Sequence, residues 1–140
     1  MESRTFLTRT EEETIALGRE LAGELSGVVL LIGNLGAGKT TLTKGIVAGR
    51  GVVSADEVSS PTFTLVHQYG HGGEAVYHVD LYRLDEAREV ESLGLADLFG
   101  SGALVLLEWA ERFPRLLPSD RAEIRITARD DDTREITLTR

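Results

Sequence analysis

Cysteine is absent from this 140-residue chain, which excludes both a disulfide scaffold and a thiolate nucleophile. Lysine is almost absent: Lys39 and Lys44 are the two lysines, and arginine supplies the remaining positive charge. Basic residues are outnumbered 15 to 23 by acidic ones, giving a formal net charge of -8 and a sequence pI near 4.9. That balance argues against a broad basic surface for nucleic acid, which works by neutralising phosphates. It leaves open RNA handled through a partner. Long apolar runs are missing as well. Met1-Glu2-Ser3-Arg4 opens no apolar leader and no stretch reaches the ~20 residues of a membrane span. A cytoplasmic location with no membrane association is therefore expected. The histidines are His67, His71 and His78, and their spacing makes no zinc site with a third ligand. A hydrophobic fraction of 41% suits one domain, residues 1–140, with a core of ordinary size.

Within this chain one stretch organises the rest: Val28-Val29-Leu30-Leu31-Ile32-Gly33-Asn34-Leu35-Gly36-Ala37-Gly38-Lys39-Thr40-Thr41. Gly33, Gly38, Lys39 and Thr40 match the pattern G-x-x-x-x-G-K-[ST]. The five apolar residues before Gly33 read as a strand buried on both faces. After Lys39, the spacing of Leu42, Ile46 and Val47 predicts a helix. Gly33, Gly36 and Gly38 allow backbone N–H groups to converge on phosphate oxygens through turns that a Cβ would obstruct. The expected nucleotide-binding positions are Asn34, Leu35, Gly36, Ala37 and Gly38, followed by Lys39, Thr40 and Thr41. Lys39 would reach the β- and γ-phosphates, and the Thr40 hydroxyl would ligate Mg²⁺.

The other elements follow from periodicity and punctuation. Thr5 to Thr8 reads as a short edge strand. Thr10, with Glu13 three residues later, reads as the start of a helix whose apolar face is Ile15, Leu17, Leu21 and Leu25, ending near Gly27. Leu65–Tyr69 and Ala75–Asp80 read as an antiparallel hairpin, with Val76, His78 and Asp80 on one face. His78 is expected to be a structural hydrogen-bonding residue. A short charged helix follows at Glu86–Leu93, then an apolar patch at Leu95–Phe99. The alternating segments Ala122–Ala128 and Thr133–Leu138 predict a final hairpin turning at Asp130-Asp131-Asp132, a solvated turn rather than a metal site. Together these give an α/β protein: a P-loop NTPase-like sandwich with a central mixed, mainly parallel sheet flanked by helices.

Two carboxylates stand where such a site needs them. Asp80 closes one strand, where an acid can reach phosphate-bound metal or simply cap the next segment. Glu108 closes the apolar run Ala103-Leu104-Val105-Leu106-Leu107, the way a Walker B acid is delivered beside a P-loop. Trp109 next to it can pack on nucleotide, cover the site or fill a gap. In Ser60-Pro61-Thr62-Phe63-Thr64, Pro61 stiffens a loop presenting hydroxyls, of which Thr62 or Thr64 can approach Mg²⁺ or the γ-phosphate. Arg112 and Arg115 read as surface residues first, with a phosphate contact as the alternative. Lys39, Thr62, Asp80 and Glu108 are thus the candidate catalytic residues, with Thr40, Asp80 and Glu108 the candidate Mg²⁺ ligands. An ATPase that drives an assembly, a small metabolite kinase and a regulatory nucleotide-binding module all fit these parts. The kinase reading lacks sequence for a lid, and no N-K-x-D motif supports a GTPase.

Taken together, Gly33–Thr41, Ser60–Val66, His78-Val79-Asp80-Leu81-Tyr82-Arg83-Leu84 and Leu107-Glu108-Trp109 resemble the TsaE (YjeE) family across essentially the whole chain. The resemblance implies a bacterial Mg²⁺-dependent ATPase required for threonylcarbamoylation of adenosine in tRNAs that read ANN codons. It implies action with a TsaD–TsaB heterodimer, hydrolysis supporting turnover of that complex rather than group transfer, and only indirect contact with tRNA. Carried over by motif, Thr41 approaches the α-phosphate, Thr62 is a switch-like threonine, Asp80 lies near Mg²⁺ and Glu108 is Walker B-like. Trp109 then lies near nucleotide or partner, and Glu11 falls in a region near the adenine.

Overall fold

The computed structural model describes residues 2–34, 36–61 and 65–140. Leu35 and Thr62, both expected at the nucleotide, lie outside the described residues, as does Thr64. Among the described residues the strands are β1 (Ser3–Thr8), β2 (Val28–Ile32), β3 (Val66–Tyr69), β4 (Val76–Asp80), β5 (Leu104–Glu108), β6 (Arg121–Ala128) and β7 (Arg134–Thr139). They form one sheet in the order β1-β7-β6-β2-β5-β4-β3. β6, β2, β5 and β4 are parallel neighbours. β3 adds antiparallel at one edge, and β7 then β1 add antiparallel at the other. Two reversals restore direction, so β1 points with the parallel set and five of the seven strands share one direction. The sheet is mixed and mainly parallel, as the sequence predicts.

Every residue of β2 and β5 is buried, which a strand covered on both faces requires. Their side chains divide by period two. Val29, Leu31, Leu104 and Leu106 meet helices α1 (Glu11–Ala22) and α2 (Lys39–Gly49) through Leu17, Leu21, Leu42, Ile46 and Val47. Val28, Leu30, Ile32, Val105 and Leu107 meet the short helices α3 (Ala87–Glu91) and α4 (Leu95–Phe99) through Val90 and Leu95. Helices therefore cover both faces of the sheet.

Thr10 caps α1 in extended conformation, its hydroxyl accepting the Glu13 N–H at 3.0 Å. The Glu13 carboxylate accepts the Arg9 N–H at 2.9 Å, closing the box one residue before the cap. The helix stops at Ala22 with Gly23 as its C-cap, earlier than the predicted end near Gly27. Leu25 still packs in the core, with 3% of its surface exposed, because apolar demand outlasts the helical hydrogen bonding.

α1 and α2 cross at glycine. A Cβ on Gly18 would lie 2.6 Å from the Leu42 carbonyl oxygen, and one on Gly45 would overlap that of Ile15. Backbones that touch this closely leave α2 little room to slide. The same alternation that faces Leu104 and Leu106 toward α2 also turns Glu108 that way. Val76, His78 and Asp80 share the corresponding face of β4. Asp80 is directly opposite Glu108, and Glu108 opposite Leu31, so both acids arrive at the carboxyl ends of the parallel strands beside the start of α2.

Candidate active site

The loop from β2 to α2 delivers a helix N-terminus with no side-chain cap among the described residues. Gly38 is its N-cap with φ 113°, no side chain caps it, and no acid occupies the first turn. The φ is one that L side chains rarely adopt, so glycine is required there. The free N–H groups and the helix dipole make this end an anion site. Lys39 follows at once. Only 5% exposed, it donates from Nζ to the Gly33 carbonyl at 2.8 Å. The same Nζ is 3.7 Å from Glu108 Oε1 and 4.0 Å from the centre of the Trp109 ring.

Facing it, Asp80 and Glu108 are 3% and 4% exposed. Asp80 Oδ1 accepts the Tyr82 N–H at 2.9 Å, while Glu108 Oε2 accepts a hydrogen bond from His78 Nε2. Buried carboxylates at such a density hold only when paired, and here the partners include the lysine, the imidazole and the Tyr82 N–H. A cleft of about 260 Å³ separates Gly36, Gly38, Lys39, Thr40 and Thr41 from Ser60, Asp80 and Glu108. Gly36 faces open space where a Cβ would project. Hydroxyl and carboxylate oxygens suit a hard divalent cation, and Mg²⁺ needs only one or two protein carboxylates when phosphates complete its shell. The residues present therefore fit a Mg²⁺-nucleotide.

Two further clefts flank the loop. One of about 250 Å³ shares Gly36, Gly38 and Thr41 with the first and adds Arg9, Glu11, Asp132 and Arg134. Glu11 is thus beside the loop. Arg9, Asp132 and Arg134 were not legible as neighbours, because they meet only through the pairing of β1 with β7, where Thr8 stands opposite Arg134. The other, about 410 Å³, is lined by Asn34, Ala37, Trp109, Glu111 and Arg125 among others. Asn34 and Ala37 therefore border a different side of the loop from Lys39, Thr40 and Thr41. Trp109 bridges the two sides, with its ring over Lys39 and 5.1 Å from that of Tyr82.

Arg112 lies at the surface, as read, but it also has a structural role. Its Nη2 donates to the carbonyls of Leu81 at 2.5 Å, Tyr82 at 3.0 Å and Leu84 at 2.8 Å, tying down the segment after Asp80. Sequence offers no signal for this, since the contact spans about thirty residues of chain. His78 does prove to be a structural hydrogen-bonding residue, completely buried. On the far side, the Ser59 N–H donates to the Tyr69 hydroxyl at 3.4 Å, anchoring the stretch before Pro61. Burial pushes the Tyr69 phenol above its ordinary pKa, so the group stays a neutral hydroxyl.

Among the described residues, Leu65, Trp109 and Asp132 are the non-glycine residues with positive φ. All three border this region. The Leu65 carbonyl accepts the Asp80 N–H at 2.9 Å, Trp109 follows Glu108, and Asp132 lines the cleft beside Glu11. Left-handed backbone at non-glycine residues costs about 1–3 kcal/mol each and gathers at functional sites.

Comparison with known proteins places the chain among relatives. Residues 8–136 match the model of the family described as "Threonylcarbamoyl adenosine biosynthesis protein TsaE". The tRNA threonylcarbamoyladenosine biosynthesis protein TsaE of Bacillus subtilis is 40% identical over 141 residues, covering 99% of this chain and 87% of the relative. The protein of the same name from Haemophilus influenzae is 38% identical, covering 94% and 86%. The crystal structure of YdiB from Bacillus subtilis superposes with a TM-score of 0.79 at 34% identity, over 98% of this chain and 84% of that one. With its phosphate loop, paired carboxylates and matched relatives in agreement, the chain belongs to the TsaE family, the P-loop ATPase component of tRNA threonylcarbamoyladenosine biosynthesis.

Proposed function

We propose that residues 1–140 form a single cytoplasmic ATPase domain whose reaction centre is the cleft between Lys39, Asp80 and Glu108. The observation that carries this reading is the convergence of one buried cation and two buried carboxylates on the uncapped start of α2. Lys39 and the loop N–H groups hold the β- and γ-phosphates, and Thr41 lies toward the α-phosphate. Thr40, Asp80 and Glu108 are the residues that would hold Mg²⁺, directly or through water. When bound, Mg²⁺ neutralises charge developing on the phosphate oxygens. Glu108 orients the water that attacks the γ-phosphorus as the bond to the ADP oxygen breaks, releasing ADP and phosphate. Thr62 contributes a switch-like hydroxyl, Glu11 lies beside the adenine, and Trp109, its ring over Lys39, lies near the nucleotide or the partner surface.

In this reading hydrolysis supports turnover of a TsaD–TsaB complex, which handles the tRNA and performs the transfer. The chain's net charge of -8 suits a component that does not hold tRNA by itself. Mg²⁺-dependent ATP hydrolysis measured with and without purified TsaD–TsaB tests the assignment, and partner-dependent turnover is expected. Glu108→Ala should lower turnover by about 10²-fold while ATP binding persists. Equal turnover in the two proteins would remove Glu108 from the mechanism. Partner-independent phosphorylation of a small metabolite would instead establish a kinase.

A further inference from the structure

The reaction just described has no use for His78, yet this residue is completely buried against it. It stands two residues before Asp80 on the same face of β4, opposite Leu106, and so diagonally beside Glu108 on β5. Its Nε2 bonds Glu108 Oε2. An ionised carboxylate can only accept, so in this bond Nε2 is the protonated donor. The cost falls on the other nitrogen: Nδ1 is buried with no hydrogen-bond partner among the described residues. An apolar side chain would fill the same buried space without an unpartnered ring nitrogen. The imidazole therefore makes sense through Glu108.

We propose that His78 is a positioning residue that orients the Glu108 carboxylate for ATP hydrolysis. By holding Oε2, it prevents the carboxylate from rotating and leaves Oε1 facing Lys39, 3.7 Å away, and the cleft. Lys39 alone offers no equivalent hold, since its Nζ is also engaged by the Gly33 carbonyl. The proposal rests on the reading of Glu108 as the water-orienting acid.

The test uses the full chain hydrolysing Mg²⁺-ATP with its partners. The amide nitrogen of glutamine stands near the position of Nε2, and that of asparagine nearer Nδ1. His78→Gln should therefore recover most of the wild-type kcat, whereas His78→Asn should lose about 10-fold or more. Neither should shift KM or the ATP Kd appreciably. In a Glu108→Ala background, exchanging Gln for Asn should change nothing. Equal kcat for the two amides, a loss carried in KM, or a difference that survives in Glu108→Ala would each overturn the role. Imidazole ¹⁵N spectra of the wild type supply a readout that needs no folded His78 variant. They should show the Nε2–H tautomer with a downfield proton that disappears in Glu108→Ala, and an Nδ1–H tautomer would sink the proposal. Undiminished turnover in Glu108→Ala would instead refute the assignment of Glu108 itself.

Discussion

Helix α2 is buried at its middle and at its start, and the two places are held in opposite ways. At the middle, Gly45 meets the backbone of α1 so closely that even a methyl group would collide with the Ile15 carbonyl. At the start, about 9 Å earlier along the helix, Lys39 enters a pocket shared with Asp80 and Glu108, the latter bonded by buried His78. The first contact is apolar and specified by shape. The second buries charge, and is tolerable only because each carboxylate has a cation or N–H donor. The difference teaches an order of dependence. Shape at the crossing leaves the helix one seat on the sheet, and that seat brings Lys39 to the acids.

Three substitutions probe that dependence. Lys39→Ala removes the buried cation, and ATP affinity measured calorimetrically should fall by about 2–5 kcal/mol. Affinity at the wild-type level would mean that Lys39 serves only Gly33 and Glu108. Gly45→Ala should lower stability by about 1–3 kcal/mol in a thermal or denaturant melt, and turnover of the folded fraction should fall with it. A stability loss with full turnover would make the two regions independent. The smallest effect is expected on the opposite face of the sheet, where the Glu89 carboxylate accepts the Glu86 N–H at 3.0 Å at the start of α3. Glu89→Ala should cost roughly 0.5–1 kcal/mol and leave ATP turnover unchanged. A turnover defect there would show that the α3 face communicates with the cleft.

The legible parts of the molecule are those encoded by neighbours in sequence. The buried run before Gly33 became β2, the glycine spacing became the turn into α2, and Asp80 and Glu108 each ended a strand as their apolar runs predicted. Thr10 capped α1 as read, although Gly23 ended that helix sooner than its apolar pattern suggested. Arg112, Arg9 and Arg134 were illegible because their roles depend on distant chain. One binds carbonyls about thirty residues away, and the others meet across the β1–β7 pairing. The Asp130–Asp132 turn was read correctly as a turn, but nothing local revealed that Asp132 would border a cleft with Glu11.

By itself, the sequence determined the phosphate loop, the hydrophobic periodicities and two acids at strand ends, because each rests on spacing within a few residues. Only the tertiary structure decided that those acids face one lysine. That outcome requires β4 and β5 to pair so that Asp80 stands opposite Glu108, and a slip of one residue would turn either side chain to the other face. It requires the glycine crossing that seats α2. It also decided that His78, locally just another inward residue of β4, would spend its one hydrogen bond on Glu108. Such contacts are non-local, and no window of sequence contains both partners.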